Sequence, residues 1–179
     1  MFLRYPQSML ILMAGLPGTG KSTLSRAVAE EVGGTVLDKD VIRAALFPPN
    51  DIEYSTEQDE FVMRVMLKVA GYVFRKDPAR YVFLDGRTFS RRYQLDRATG
   101  YSEAIGQPWR IIECICSEES AKKRLSADDS HLAANRNFSL YLKVKARFEE
   151  ITLPKTIVNT DLALTECLRQ VTAVLTNEG

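Results

Sequence analysis

Eight residues, Gly15-Leu16-Pro17-Gly18-Thr19-Gly20-Lys21-Ser22, constrain this chain more than any other stretch. An apolar run, Met9 to Ala14, precedes them. A helical pattern follows from Lys21 to Val32, with Leu24, Val28 and Val32 on one face and Gly33-Gly34 at its end. The spacing G-x-x-x-x-G-K-[ST] is matched in full, in the strand–turn–helix context that gives it meaning. Glycines let a backbone approach an anion closely, and successive N–H groups can then point inward as a nest. The helix N-terminus adds partial positive charge. On this reading Gly15, Pro17, Gly18, Thr19 and Gly20 form the cradle, and Lys21 brings a full charge to the β/γ-phosphates. The Ser22 hydroxyl can ligate Mg²⁺, and Thr23 supports the α-phosphate side. An incidental glycine turn would not reproduce both spacing and context. The expected ligand is a nucleoside triphosphate with Mg²⁺, and the fate of its phosphate is left open.

Beyond the loop, strand-like and helix-like stretches alternate as in a parallel α/β sheet. Strands are expected at Met9–Ala14, Thr35–Asp38, Arg80–Gly86, Trp109–Cys116 and Lys155–Thr160. They are both-face apolar or short, as strands of a covered sheet should be. Helices are expected at Asp40–Phe47, from Ser55 onward, from Phe89 to about Ile105, after Ser117, over Phe138–Ile151 and around Leu164–Leu175. Ser55-Thr56-Glu57-Gln58 has capping-box spacing, with Phe61, Val65, Val69 and Val73 as the expected buried stripe. The chain of 179 residues shows no repeat or linker, so a single domain over 1–179 is expected. Ligands of such sheets collect at the carboxyl ends of strands, where Asp38, Asp40 and Asp85 fall.

Composition removes several classes. Net charge is +1, without the basic excess usual in nucleic-acid proteins. No segment approaches the roughly 20 apolar residues of a membrane span, and a cytoplasmic location is the default expectation. The three cysteines and single histidine, His131, do not suggest a zinc site; Cys114, Cys116 and Cys167 read as buried structural thiols.

Three classes use such a loop. Motor ATPases place a Glu beside the metal-supporting Asp at a strand end, whereas Asp85 is followed by Gly86. GTPase switches carry an Asn/Thr-Lys-x-Asp motif that is absent here. Kinases need a carboxylate to accept the acceptor's proton and cations around the transferring group. Leu37 to Leu46, LDKDVIRAAL, offers Asp40 and Arg43 three apart on one helix face. The plainer alternative makes Asp40 a helix N-cap and Arg43 a solvated residue.

With these motifs, GLPGTGKSTLSRAVAEE, LDKDVIRAALFP and FLDGRTFSRR, the chain resembles the P-loop kinase branch that includes polynucleotide 5′-hydroxyl kinase and zeta toxins. The resemblance implies a three-layer α/β/α fold with a five-stranded parallel sheet in order 2-3-1-4-5. It implies Asp40 as general base, Arg43 as acceptor or phosphoryl contact, and Asp85 as metal- or acceptor-orienting acid; which of the two acids is the base stays open. It also implies a small helical lid over about 118–137 whose arginines, Arg124 and Arg136, close over the phosphates. The expected cofactors are ATP and Mg²⁺. The favoured reading is γ-phosphate transfer to a small-molecule hydroxyl. A polynucleotide 5′-hydroxyl kinase and a nucleotide-gated switch are the alternatives. The stretch expected at the acceptor, FPPNDIEYSTEQDEF, is acidic and aromatic and suits a polar or cationic molecule, unless Arg87, Arg91 and Arg92 supply an anion site. Oligomeric state is silent.

Overall fold

β1, Met9–Ala14, is buried along its whole length because it is the middle strand of the sheet. The computed structural model describes residues 8–127 and 137–176, and five parallel strands run in the order β2-β3-β1-β4-β5. β2 is Thr35–Asp38, β3 Tyr81–Asp85, β4 Trp109–Ile115 and β5 Lys155–Asn159. The expected fold class and strand order are therefore found. Apolar residues of β1 alternate between two cores, as the two-residue period of a strand requires. Leu10, Leu12 and Ala14 pack with α3 (Thr56–Lys76) and α4 (Arg92–Ala104). Met9, Ile11 and Met13 pack with α1 (Lys21–Val32) and α7 (Leu164–Thr176). Helices thus cover both faces, and the three layers follow. Among the described residues no helix is long and apolar enough to cross a membrane.

The strand ends place the chemistry. Asp38 closes β2 and pairs in register with Asp85 at the end of β3. Its side chain accepts from the backbone N–H groups of Asp40 and Val41, capping α2, Lys39–Leu46. The N-cap is therefore Asp38 and not Asp40, which leaves the Asp40 carboxylate to other partners. Replacing a capping Asp by Ala removes acceptors from otherwise orphaned helix N–H groups. Asp38→Ala should cost about 0.5–2 kcal/mol in urea denaturation. An unchanged midpoint would contradict the cap.

Three helices differ from expectation. The buried face of α3 is Val62, Met63, Met66, Leu67, Ala70 and Phe74, whereas Phe61 and Val69 are exposed and Val65 and Val73 half-buried. Ser55 caps α3 by accepting from Gln58 N–H, but the Gln58 side chain turns back to Glu53 N–H and Asp51 O. α4 starts at Arg92, not Phe89, because Phe89 is a buried core residue in the left-handed region at φ 51°. After α5, Glu118–Ala127, comes α6, Phe138–Lys145, which stops before Ile151. Beyond it, Glu149 is held by Arg91 and by the backbone N–H of Arg92, and Ile151 turns into the core.

Candidate active site

The glycine turn leaves β1 through Gly15 at φ 132° and enters α1 through Gly20 at φ 78°. Gly18, at φ 77°, has no room for a side chain: a Cβ would lie 2.9 Å from both Ala121 O and Leu125 Cγ of α5. The first turn of α1 carries no acid, so its positive end is not offset by its own side chains. Lys21 is buried, and its Nζ donates to Gly15 O at 2.8 Å and Leu16 O at 2.7 Å. The ammonium therefore sits over the turn it was expected to serve.

A cleft of about 280 Å³ extends from this loop. Lys21 and Ser22 line one end, and Lys39, Asp40 and Arg43 of α2 line a second wall with Asp59 of α3 and Tyr54. A third wall is the loop after β3, Gly86 to Thr88 with Ser90, continued by Gln94 of α4. Leu140 and Val144 of α6 close it with apolar surface. The expected partners Lys21, Ser22, Asp40 and Arg43 are thus brought together.

Arg43 is not a solvated residue. Its side chain is 3% exposed, donates to Asp40 Oδ1 at 3.0 Å and to Asp59, and lies 5.3 Å from the centroid of the Tyr54 ring. Lys39 donates to the same Asp59 oxygen at 3.0 Å. Two cations and two carboxylates therefore hold one another along α2 and α3. Such mutual pairing fixes Asp40 in place at the cleft wall. Lys39, next to the Asp40–Arg43 pair, was not singled out in the sequence, and Asp59 was one of several acids in the stretch expected at the acceptor. Only the packing of α2 on α3 joins them.

Asp85 is fully buried, and among the described residues neither of its oxygens has a hydrogen-bond partner. An unpaired buried carboxylate is costly, and such a group is expected to serve a ligand or ion. Arg124 is placed otherwise than expected. It donates to Gly18 O at 3.3 Å, Thr160 Oγ1 at 3.0 Å and Thr160 O at 2.7 Å, tying the loop to the end of β5, and it does not line the cleft. Arg136, His131 and the rest of the lid stretch 128–136 lie outside the described residues.

The acidic stretch Phe47 to Phe61, which runs into α3, does not make the cleft acidic. Of its acids only Asp59 lines the cleft, already paired. Arg91 and Arg92 point elsewhere, to Glu149 and to Asp96 and Thr152, while Arg87 is a cleft wall. Below the loop, burial pushes the Cys114 thiol up to about 12, so it stays protonated and inert. Cys167 is buried too and Cys116 half-buried. Among the described residues no group of three or more His, Cys, Asp or Glu could hold a metal.

Comparison with known proteins gives a family and a shared fold. The family model for the AAA domain matches residues 10–151. A UPF0200 protein of Aeropyrum pernix is 32% identical over 90 residues, 45% of this chain and 47% of that protein. The match thus spans about half the length of the curated relative. The Mycobacterium tuberculosis APS kinase in complex with AMPPNP and APS shares the fold at TM-score 0.71 and 19% identity, over 95% of this chain and 98% of that one. Chaetomium thermophilum Kti12 in complex with ADP-AlF3 does so at TM-score 0.72 and 14% identity, over 94% of this chain and 97% of that one.

Proposed function

This chain belongs to the AAA domain family, and on that premise we propose that it is an ATP-dependent phosphotransferase acting on a hydroxyl of a small molecule. The observation that carries the reading is the cleft in which Lys21 and Ser22 of the phosphate loop face Asp40 and Arg43. The glycine turn, with its N–H groups and the acid-free start of α1, binds the triphosphate tail. Lys21 leaves the carbonyls of Gly15 and Leu16 to meet the β/γ-phosphates. Asp40 takes the proton of the acceptor hydroxyl as its oxygen bonds to the γ-phosphorus. The bond from phosphorus to the β,γ-bridging oxygen breaks, and ADP leaves with that oxygen's charge, neutralised by Lys21. Arg43 holds Asp40 and presents positive charge to the acceptor side. Arg124 keeps the loop in register through Gly18 and Thr160 and so acts at a distance from the reacting atoms.

Ser22 and Asp85 are the residues that would hold Mg²⁺, and they fit it. Mg²⁺ takes hard oxygen ligands, usually one or two from protein and the rest from phosphates and water. The two unpaired oxygens of buried Asp85 are suited to that need. When bound, the ion neutralises charge on the phosphate oxygens. The APS kinase, in complex with AMPPNP and APS, offers a precedent for a small acceptor on this fold.

The test is transfer of γ-labelled phosphate from ATP to a panel of hydroxylated small molecules, to a 5′-hydroxyl oligonucleotide, and with no acceptor. A small hydroxyl compound should become labelled and should speed ATP turnover well above the acceptor-free rate. Labelling of the oligonucleotide alone would make the chain a polynucleotide kinase. ATP turnover indifferent to every acceptor would favour a switch.

A further inference from the structure

Charge is divided unequally across the cleft. On the wall formed by α2 and α3, Lys39 and Arg43 are matched by Asp40 and Asp59. On the wall formed by the loop after β3 the charged lining residue is Arg87, and it shares one carboxylate, Glu60 of α3, with a second guanidinium, Arg97. That cluster keeps a net positive charge. Arg97 is 47% exposed, so water screens it. Arg87 is 5% exposed, and its Nε has no hydrogen-bond partner among the described residues. A buried guanidinium with half a counter-ion is costly unless another anion reaches it. Arg87 lines the cleft, and that is where such an anion can come from.

The wall is also pre-built. Phe89 holds a φ of 51° while 1% exposed. A bulky residue keeps such an angle only where its surroundings fix it, and such outliers cluster at ligand sites. Its burial anchors a loop whose Arg87, Thr88 and Ser90 all line the cleft, and Thr88 O accepts from Gly15 N–H at 3.1 Å. The wall is therefore tied to the phosphate loop itself. Next to it, Gln94 Oε1 is buried without a partner among the described residues and asks for a donor. Thr88 and Ser90 add hydroxyl groups, and Leu140 and Val144 limit the width.

We propose that the acceptor carries an anionic group, a carboxylate or a phosphate, and that Arg87 binds it while Gln94 accepts from a hydroxyl or N–H beside it. This rests on the phosphotransfer reading above. The acceptor is then a small polar acid whose reacting hydroxyl lies at Asp40 and whose anion lies at the loop after β3. Arg87 is a specificity-determining residue, distinct from Arg43, whose charge Asp40 and Asp59 already engage.

The experiment uses the whole protein loaded with AMPPNP and Mg²⁺, so that the triphosphate cradle is filled. Calorimetry then follows addition of inorganic phosphate, acetate or neutral glycerol. One of the two anions should bind in preference to glycerol, and the tighter one names the acceptor's charged group. Arg87→Gln should weaken that anion about 10- to 100-fold, the worth of a charge-assisted hydrogen bond or two, with AMPPNP affinity retained. Arg97→Gln, at a half-exposed position, leaves Glu60 wholly to Arg87 and should weaken the anion several-fold. This second variant keeps the test decisive if Arg87→Gln fails to fold. Loaded protein that takes up neither anion, or variants that bind it as wild type does, would overturn the anionic acceptor and leave the kinase reading intact. Failure of AMPPNP itself to bind would remove the kinase reading and this inference together.

Discussion

Lys21→Ala should lower phosphate transfer by roughly 10²-fold or more and weaken triphosphate binding. The size follows from where the charge sits. Lys21 is the cleft-lining cation that also belongs to the glycine turn, and its Nζ already reaches Gly15 O and Leu16 O. In a site shielded from bulk water, a fixed cation beside the transferring group is worth far more than in solution. Alanine is well tolerated in a helix, so the folded state should persist, with a thermal transition close to wild type. The loss should appear in both kcat and ATP affinity, because the lysine meets the phosphates before and during transfer. A variant with near-normal turnover would mean that the lysine does not meet the phosphates.

Asp40→Asn should lower kcat by about 10²–10⁴-fold while ATP affinity stays nearly normal. Asparagine keeps an oxygen that can accept from Arg43, as Asp40 Oδ1 does at 3.0 Å, so the geometry of α2 is preserved and only the capacity to take a proton is lost. Because Asp38 and not Asp40 caps α2, the substitution leaves the helix start intact. This separates a chemical effect from a folding one. If ATP affinity collapses while kcat survives, Asp40 serves the nucleotide. Asp85, fully buried and unpartnered among the described residues, then becomes the better base.

What was legible in the sequence was local. The glycine turn is a contiguous pattern whose glycines are set by backbone geometry, and its place between a strand and a helix is found as read. Strand limits were read almost to the residue, because short apolar runs between turn formers leave little choice. The outer side of α3 misled because Phe61, Val65, Val69 and Val73 keep a helical period as good as the true buried set of Val62, Met63, Met66 and Phe74. Both stripes are apolar, and only the sheet beneath decides between them. The end of α6 was invisible for a similar reason, since contacts of Glu149 with Arg91 and Arg92, 58 and 57 residues earlier, hold the turn that follows it. In the site, Asp40 and Arg43 were within reach of a spacing argument. Asp59, Glu60 and Gln94 were not, because their roles arise when separate helices meet at one cleft. Arg87 was visible only as one of three neighbouring arginines, and the fold alone singles it out.

The most direct test is calorimetric titration of the purified protein with ATP, ADP and AMP in millimolar Mg²⁺. Binding is expected for ATP, to weaken as phosphates are removed, and to fall sharply in Lys21→Ala. No uptake of any purine triphosphate, or equal affinity for ATP and AMP, would contradict the phosphate cradle on which the proposed chemistry depends.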